Sequence, residues 1–509
     1  MSSFLTLNAT SSIVSTMSID TSPHFAPVGP NPLRPFAFPG PCSRAWAMKG
    51  RPAKMRSRCF ALAMACVLAM ACVQVLLPGL QAHSAVVFLG EGAIPGDALD
   101  QSQLGGLLED GATPHNQAGG LGSGIAYSGY GDTYFAVPDR GPAGGKTSYI
   151  NRLYRLDIRL TRLAENRYRV EPTLKGTQLL GTEDGHHFTG RADAFDATNS
   201  PRGLRLDPEG IRVGACGNRA YLCDEYGPHL YEIDLHSGRR LRSLPIPQKF
   251  LIDWPSAEPR EERDRNLSGR QTNLGFEGVA ITPDGTRLLA VVQQPLSQDG
   301  ALDSDKKPLG VNCRILEIDT ETGALREFVY PMDRATNGLS EILAINGHEF
   351  LVIEHDAKAE PETTFKKIFR IDLAEATDVR AIPRLPASGA TVADGGENRE
   401  IRPVRKTLFV DLLTAGIPNI PEKVESLAFG PDLEDGRHSL IVGVDNDFSR
   451  TLPNRLWAFA VDPADVPGFQ PAPAASERAC QDRKPVQTSR AGQSGTSHRH
   501  AKRDRSGGH

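Results

Sequence analysis

A unit of two short strands recurs five times along this chain, and each copy is bracketed by polar or acidic residues. The units open at Ser123, Glu209, Glu277, Ser340 and Glu425, and they end at Asp139-Arg140, Asp224-Glu225, Gln293-Gln294, Glu354-His355-Asp356 and Asp445-Asn446-Asp447. Between opening and exit, two apolar stretches are separated by Pro, Asn, Asp and Gly residues, which are typical of tight turns. A repeat of strand pairs rather than helix pairs predicts a radial or stacked β architecture.

A third strand follows each pair and begins with a basic residue or a histidine. These first residues are Arg152, His229, Arg314, Lys367 and Arg455. Apolar residues then alternate along one face of each strand. Fourth strands are predicted at Thr177–Leu180, Arg240–Leu244, Leu325–Tyr330 and Thr407–Leu412.

The fifth unit has no fourth strand of its own, and Val86–Leu89 can supply one from the other end of the chain. We therefore predict an all-β fold, a β-propeller of four-stranded blades whose ring is closed by an N-terminal strand. Five blades are visible, and a sixth is possible between Gly181 and Ser200. A linear β-solenoid is the alternative, but the uneven spacing of the units and the spare N-terminal strand favour a closed ring.

The two ends of the chain differ in composition from the repeats. Basic residues precede an apolar run from Cys59 to Leu80 that is followed by small residues, a pattern typical of a secretory signal peptide. We interpret residues 48–85 as the signal, 1–47 as a non-native or disordered extension, 86–463 as the propeller domain and 464–509 as a disordered tail. An uncleaved membrane anchor is the alternative for the apolar run.

Export to the periplasm or the medium is therefore expected, with membrane contact only through the signal segment. Four cysteines remain after the signal, Cys216, Cys223, Cys313 and Cys480. Their spacing fits no zinc site, although one disulfide is possible in an oxidising compartment. The formal net charge of −4 gives no indication of a nucleic-acid partner. Nothing in the sequence indicates a protein partner.

The opening and exit residues are predicted to share one face of the propeller. The first strand of a blade starts near the central channel, and the second strand returns to that same face. Several carboxylates gathered at one mouth cannot all stay ionised without a counter-charge. A divalent cation with oxygen ligands satisfies them, and the lack of Cys or His clusters favours Ca²⁺, or less strongly Mg²⁺, over zinc.

The basic residues that begin the third strands are expected at the same rim, further from the axis. A cation encircled by Arg and Lys side chains suits an anionic small-molecule ester, because the metal polarises the phosphoryl group and the basic residues hold its other oxygens. His355, or a carboxylate with a raised pKa, is the candidate for proton transfer. The structural alternative is that the acids cap strands and form ion pairs between blades.

The motifs Asn273–Gly278, Asp224–Pro228, Glu354–Asp356 and Asp445–Phe448 resemble the bacterial phytase-like family described as "esterase-like activity of phytase". The resemblance covers roughly Gly119 to Asp462. It implies an exported β-propeller whose acidic residues serve phosphoester hydrolysis. The matching positions are Glu209, Glu225, Glu277, Glu354, Asp356, Glu425, Asp445 and Asp447.

Together, the rim pattern and the resemblance give a set of candidate site residues. The catalytic candidates are Glu277, Glu354, His355 and Asp356; the substrate-binding candidates are Arg140, His229, Arg314, Lys367 and Arg455; the metal-binding candidates are Asp139, Glu209, Glu225, Glu425, Asp445 and Asp447. Gln293-Gln294, Ser123 and Ser340 depart from the acidic pattern. These departures make the ring lopsided and leave the number of metal ions open.

Three functions fit these observations. The first is metal-dependent hydrolysis of phosphoesters. The second is a lactonase-type hydrolase that also uses a central cation, which the outer basic residues disfavour because a neutral lactone does not need them. The third is a non-catalytic propeller that binds a sugar or a protein and holds structural calcium.

Overall fold

The computed structural model describes residues 86–215, 217–394 and 397–471. The first blade contains β2 (Gly124–Tyr127), β3 (Thr133–Val137), β4 (Arg152–Ala164) and β5 (Arg167–Leu179); the second contains β6 (Pro208–Val213), β7 (Arg219–Asp224), β8 (His229–Asp234) and β9 (Arg240–Ser243). The third contains β10 (Phe276–Ile281), β11 (Arg287–Val292), β12 (Asn312–Asp319) and β13 (Leu325–Pro331).

The fourth blade contains β14 (Gly338–Ala344), β15 (Glu349–His355), β16 (Lys366–Asp372) and β19 (Arg405–Asp411); the fifth contains β20 (Val424–Phe429), β21 (His438–Val444), β22 (Asn454–Val461) and β1 (Val86–Ile94). A separate hairpin pairs β17 (Thr391–Asp394) with β18 (Glu397–Glu400), and one short helix, α1 (Pro259–Arg265), precedes the third blade. All pairings within the blades are antiparallel.

The chain forms a five-bladed β-propeller, as the repeat predicts. The first strands of successive blades contact one another in order, and the first strand of the fifth blade contacts that of the first blade, so that the ring is closed. β1 pairs along β22, from Val86 opposite Val461 to Ile94 opposite Asn454, which confirms the predicted closure by an N-terminal strand. This geometry excludes a linear solenoid.

No sixth blade is formed within the described residues. Residues 181–200 make isolated bridges, such as Gly181 to His187 and Thr189 to Arg205, instead of a sheet. The fourth strands lie where the sequence predicts them, although β4 and β5 extend far beyond Thr177–Leu180 as a long hairpin. The core is apolar and lies between the faces of neighbouring blades, where Trp457 and Tyr134 are fully buried.

The packed region continues past residue 463 to residue 471. Phe469 packs its ring against those of Phe429 and His438, with centroid distances of 4.6 and 4.3 Å. Cys223 and Cys313 are buried free thiols. Cys216, Cys480, the predicted signal and extension at residues 1–85, and residues 472–509 of the predicted tail lie outside the described residues. No helix in the described part of the chain has the length and apolar character needed to cross a membrane.

Candidate functional site

A β-bulge directs the opening residue of a blade towards the mouth of the central channel. In the second blade, Pro208 pairs with Asp224 and Gly210 pairs with Cys223, which leaves Glu209 as the extra residue. The same shift in register occurs at Glu277, Ser340 and Glu425. Bulges bend a strand and re-aim a side chain. The opening residues of these four blades therefore share a backbone geometry, the bulge, as well as a polar side chain.

Close approach of the inner strands explains why glycine follows the opening acid. A Cβ on Gly278 would lie 2.6 Å from the Cα of Glu341, and a Cβ on Gly124 would lie 3.0 Å from the Cα of Gly210. Such distances leave no room for a side chain. In the Glu-Gly pairs at residues 209–210 and 277–278, the glutamate places a carboxylate at the mouth. The glycine that follows lets the inner strands approach closely, which narrows the channel below that carboxylate.

The exit residues lie across from the residues that precede the bulges. Glu225 donates its backbone N–H to Asp207, Gln293 to Gly275, and Asp445 to Lys423. His355 occupies the same position opposite Gly338 in the fourth blade. This register places Glu225, Gln293, His355 and Asp445 in equivalent positions around the channel mouth.

The second blade contributes a dense carboxylate group. Asp207, Glu209 and Glu225 each offer an oxygen within 4.8 Å of the other two, and all three residues are buried. The Asp207 carboxyl contacts those of Glu209 and Glu225, and the Glu225 carboxyl contacts that of Glu277. Two carboxylates can share such a contact only when a proton or a cation lies between them.

Arg140 is the counter-ion of this group. Its Nε lies 3.0 Å from Asp207 Oδ2, and its Nη2 lies 3.0 Å from Glu225 Oε2. Its backbone N–H also donates to Asp207 Oδ1, at 2.7 Å. Arg140, predicted to bind substrate, therefore does lie at the mouth, but two of its nitrogens already contact carboxylates there.

A second carboxylate group joins the first and fifth blades. Asp139, Asp445 and Asp447 offer oxygens within 4.8 Å of one another. The ammonium group of Lys423 lies 3.0 Å from Asp445, 2.8 Å from Asp447 and 3.8 Å from Asp139. Lys423 therefore places positive charge next to all three acids of this group. In the Asp207 group, Arg140 forms ion pairs with two of the three acids.

The carboxylates of the two groups have strongly shifted pKa values. Burial, opposed by Lys423 and reinforced by Asp445, raises the pKa of Asp139 to about 7. Burial likewise raises the pKa of Asp207 to about 7 and that of Glu425 to about 8. The pKa values of Glu209 and Glu277 are also raised, first by burial and then by neighbouring carboxylates.

Three buried carboxylate oxygens at the mouth have no hydrogen-bond partner among the described residues: Oδ2 of Asp207, Oε1 of Glu277 and Oε2 of Glu425. Asp207 Oδ2 lies in an ion pair with Arg140. An unpaired buried carboxylate oxygen is costly, so it points to a missing proton or cation. Within the described residues, the ion-pair partners of these acid groups are Arg140 and Lys423.

An ion pair closes the channel below the carboxylates. Arg212 Nη2 lies 2.8 Å from Glu341 Oε2, and Arg212 also donates to the backbone carbonyls of Ile125 and Ile342. Glu341 follows the bulge of the fourth blade, at the position where the second and third blades have glycine. The fourth blade therefore places its acid one residue later, on the floor of the channel rather than at the mouth.

The structure does not bring Glu354 into the carboxylate groups. Its oxygens accept hydrogen bonds from Tyr330, Asn337 and the backbone of Asp333, and Lys406 lies 2.6 Å away. Glu354 is fully buried, and these partners satisfy its charge within the fold. We therefore assign Glu354 a structural position.

Asp356 and His355 belong to a third, separate group. Asp356 accepts from the hydroxyl of Thr363 and the backbone of Thr364, and it lies 3.4 Å from Lys366. His355 Nδ1 lies 2.9 Å from the carbonyl oxygen of Asp356. Because a carbonyl can only accept, Nδ1 carries the hydrogen, and Nε2 keeps its lone pair with no partner in the described residues.

The basic residues that begin the third strands do not form the predicted anion-binding ring. Arg314 is fully buried between Asp299 and Glu327, at 2.7 Å from each. Arg455 is bound to Glu91 and to the carbonyls of Pro418 and Asn419. These contacts use the guanidinium nitrogens inside the protein, which corrects the prediction that the two arginines face substrate.

The other members of that ring also lie in internal contacts. Burial lowers the pKa of His229 to about 3, and the ring packs beside Tyr231. Lys367 lies over the ring of Phe365, 3.9 Å from Asp411. Arg152 is buried against Asp100 and Tyr149. None of these three residues is part of the described carboxylate groups at the mouth.

Sequence reasoning missed two residues of the site, Asp207 and Lys423. Each lies two residues before an opening acid and directly opposite an exit residue. Comparing that position between units would have found a charged residue in the second and fifth blades. Gly275 and Gly338 occupy it in the third and fourth blades, so the pattern is weaker than that of the opening acids.

A cavity of about 470 Å³ lies against Asp139 and Asp447 of the second carboxylate group and against Arg140, the counter-ion of the first. Its lining includes Asp139, Arg140, Lys423 and Asp447, together with Tyr226, Thr272, Asn273 and residues of helix α1. Asp139 and Asp447 are therefore accessible to a small molecule from this face.

Residues 116–448 match the family model described as "Esterase-like activity of phytase". An "Uncharacterized secreted protein" of Arthroderma benhamiae is 26% identical over 455 residues, covering 71% of this chain and 86% of that protein. Among solved structures, hydrazine synthase of Kuenenia stuttgartiensis aligns with a TM-score of 0.29 and 13% identity, over 65% of this chain and 78% of its own. The Dos1 propeller aligns with a TM-score of 0.28 and 9% identity, over 69% of this chain and 70% of its own. The family match includes the openings and exits of all five units.

Proposed function

Because this chain belongs to the phytase-like family described as "Esterase-like activity of phytase", we propose that it hydrolyses phosphoric esters with a divalent cation held at the channel mouth. The family assignment itself supports an esterase-like hydrolase. The choice of phosphoester and of cation is our proposal. Export is part of it, supported by the predicted signal at residues 48–85 and by the name of the fungal relative.

The observation that carries the proposal is the run of contacting carboxyls from Glu209 through Asp207 and Glu225 to Glu277. Its oxygens fit a hard cation in type and spacing. Oxygens within 4.8 Å of one another can share an ion whose bonds to oxygen are about 2.3–2.6 Å long, as for Ca²⁺. The unpartnered Glu277 Oε1 supplies a further ligand atom. We propose Asp207, Glu209, Glu225 and Glu277 as the ligands, with Ca²⁺ favoured over Mg²⁺.

When bound, the cation supplies a Lewis acid that polarises a phosphoryl oxygen and lowers the pKa of water. The chain itself orients the ligands. Arg140 fixes Asp207 and Glu225 through its guanidinium group and its backbone N–H. Lys423 holds Asp139, Asp445 and Asp447 in the neighbouring group.

His355 is the proposed residue for proton transfer. Its pKa is lowered to about 4, first by burial and then by Lys366, so that the ring is neutral near pH 7. Nδ1 is held by the carbonyl of Asp356, which fixes the tautomer. Nε2 thus keeps a lone pair able to accept a proton.

A neutral ester such as a lactone is the second candidate substrate. The arginines Arg314 and Arg455, expected to favour an anion, are engaged inside the fold. That observation removes part of the reason for preferring phosphoesters. Arg140 and Lys423 still place positive charge beside the cavity, and for this reason we keep the phosphoester as the first candidate.

An assay on three substrates separates these functions. The purified protein is given bis-p-nitrophenyl phosphate, phytate and a lactone, each with Ca²⁺ or with a chelator. We expect calcium-dependent turnover of a phosphate substrate. Turnover of the lactone alone would select the second candidate, and turnover of neither phosphate at any metal loading would retire the first. Calcium binding without any turnover would favour a non-catalytic propeller.

The variant Glu277→Gln tests the proposed ligand set. It removes one charge from the run of carboxyls while keeping the side-chain volume, so turnover should fall by at least about a hundredfold. The control is Glu317→Gln in the same blade, a buried glutamate that pairs with Arg287 and Arg326. The control should retain turnover. A fully active Glu277→Gln protein would remove this residue from the site.

A further inference from the structure

Asp224 is a buried acid beside the proposed ligands, and the proposed function does not use it. It is the last residue of β7, directly before Glu225, and it is 1% exposed. Its partner across the sheet is Pro208, the residue before the bulge at Glu209. Proline has no backbone N–H. The first strand therefore offers no N–H to β7 at this position, next to two of the proposed ligands.

The side chain of Asp224 joins the two segments instead. Its Oδ1 accepts the backbone N–H of Asp207 at 2.9 Å and that of Tyr226 at 3.3 Å, and its Oδ2 accepts the N–H of Gly227 at 2.9 Å. An aspartate that binds the backbone two residues further on forms a local turn. Glu225 lies inside this turn. One carboxylate thus holds both the backbone of Asp207 and the residues around Glu225.

The propeller fold does not itself require an acid at this position. Val292 and Val444 occupy the equivalent positions in the third and fifth blades, and Glu354 occupies it in the fourth. Glu354 also accepts a backbone N–H, that of Asp333, at 2.8 Å. In the second blade alone, the acid at this position directly precedes one of the proposed ligands.

We propose that Asp224 is a positioning residue, which holds Asp207 and Glu225 in the arrangement that binds the cation. The proposal rests on the proposed function, because these two residues belong to the proposed ligand set. Asp224 acts through the backbone of the ligands and does not bind the ion itself. Groups that orient metal ligands in this way commonly change the affinity for the metal about tenfold to a hundredfold when they are replaced.

Repulsion between the ligands explains why such a clamp is needed. Asp207 and Glu225 repel each other when both are ionised, and Arg140 contacts both through their side chains. The three N–H groups bound by Asp224 restrain the backbone on either side of the pair. Ligands that are already in place bind an ion without a further cost of ordering.

Two variants test the proposal by calcium binding alone. Asp224→Asn keeps the size of the side chain but replaces one accepting oxygen by an NH₂ group, which cannot accept a backbone N–H. Asp224→Glu keeps the charge but moves the carboxylate by one methylene group. In calorimetry, both should bind Ca²⁺ about tenfold to a hundredfold more weakly than the native protein. Native affinity in Asp224→Glu would show that the charge alone matters, and would overturn the proposal.

Glu354→Gln is the matched control. It removes the charge of a buried acid that accepts a backbone N–H at the equivalent position of another blade. Thermal unfolding in chelator should show a lower melting temperature for Glu354→Gln and for Asp224→Asn, whereas the affinity for Ca²⁺ should fall only in Asp224→Asn. Native affinity in Asp224→Asn, or an equal loss of affinity in Glu354→Gln, would overturn the proposal.

Hydrogen exchange in the native protein tests the same link without any variant. Bound Ca²⁺ holds its ligands in place, so through Asp224 it should slow the exchange of the Gly227 N–H, although Gly227 is not a proposed ligand. The N–H of Asp333, held by Glu354, should exchange at the same rate with and without Ca²⁺. Unchanged exchange at Gly227 in the calcium-loaded protein would contradict the proposal. A native protein that binds no Ca²⁺ would instead count against the proposed function.

Discussion

Among the described residues at the channel mouth, Lys423 is the cation that lies near the largest number of carboxylates. Its ammonium group lies within 4 Å of Asp139, Asp445 and Asp447, and its side chain is only 30% exposed. A divalent cation can take over the same role, because the three carboxylates also offer oxygens within 4.8 Å of one another. Ammonium and metal ion are therefore alternative counter-charges for one group of acids.

Replacement of this lysine predicts a stability that depends on calcium. In Lys423→Met, three carboxylates lose their counter-ion, so the free energy of unfolding should fall by about 2 kcal/mol in chelator. Saturating Ca²⁺ should restore most of that loss. Urea denaturation with and without Ca²⁺ measures both effects.

The control for this variant is Lys367→Met. Lys367 lies 3.9 Å from Asp411 with both side chains a quarter exposed, and a pair of this kind contributes at most about 1 kcal/mol. Its removal should change stability little, with or without calcium. A Lys423→Met protein as stable in chelator as the native protein would show that the lysine does not balance the group.

At the level of the blade, the first strand combines a bulge with a glycine that lets the strands meet. The Cβ that would be added at Gly278 falls 2.6 Å from backbone of the fourth blade. Backbone cannot move aside as a flexible side chain can. The glycine therefore sets how closely the second, third and fourth blades approach the axis.

We predict that Gly278→Ala is among the most destabilising single substitutions in the inner strands. The added methyl group forces the third and fourth blades apart, at an expected cost of about 3 kcal/mol or more. Thermal unfolding with Ca²⁺ present measures it. In Gly105→Ala the added Cβ meets nothing within 4 Å, so that variant should unfold like the native protein. Equal stability of the two variants would contradict the packing argument.

The strands of each blade could be predicted because their signals are local. Alternation of apolar residues, turn residues and the repeated opening acid all lie within one unit, and they located β1 as the closing strand. The contacting acids Glu209, Glu225 and Glu277 were also predicted, since equivalent positions of a closed ring must converge. Asp207 and Lys423 precede their strands and belong to no motif that recurs in every unit.

The outer cations could not be predicted from such local signals. Arg314 is neutralised by Asp299, from the preceding loop, and by Glu327. Arg455 is neutralised by Glu91, from the opposite end of the chain. A basic residue at a strand start has the same appearance whether its partner is a ligand or a distant carboxylate. The two cases can be distinguished only in the folded ring, where the partner of the basic residue lies next to it.

Considered as a whole, the propeller has its buried acids on one side of an ion pair that crosses the channel. Arg212 and Glu341 lie across the channel below the carboxylates. Beyond them, a chamber of about 70 Å³ is lined by Ile125, Leu427 and Phe469 among others. A ligand in the cavity at the mouth therefore meets Asp139 and Asp447 directly, and the acids Asp207, Glu209, Glu225 and Glu277 are buried.

This concentration of buried acids predicts that calcium stabilises the whole molecule more at high pH. In chelator, burial raises the pKa of Asp139 and Asp207 to about 7 and that of Glu425 to about 8, whereas the same groups in the unfolded chain titrate near 4. Between those values the folded state binds more protons than the unfolded state. Its stability is greatest below the unfolded pKa and falls as pH rises, by about 1.4 kcal/mol per pH unit for each proton involved.

Bound Ca²⁺ replaces those protons, so its stabilising effect should grow as the protons leave. We expect the difference in melting temperature between calcium and chelator to be small at pH 5 and largest near pH 8. Scanning calorimetry at one scan rate across this range measures it, and Glu277→Gln should flatten the dependence because one buried charge is absent. A calcium effect of the same size at pH 5 and pH 8 would mean that the carboxylates at the mouth neither hold these protons nor bind the ion in their place.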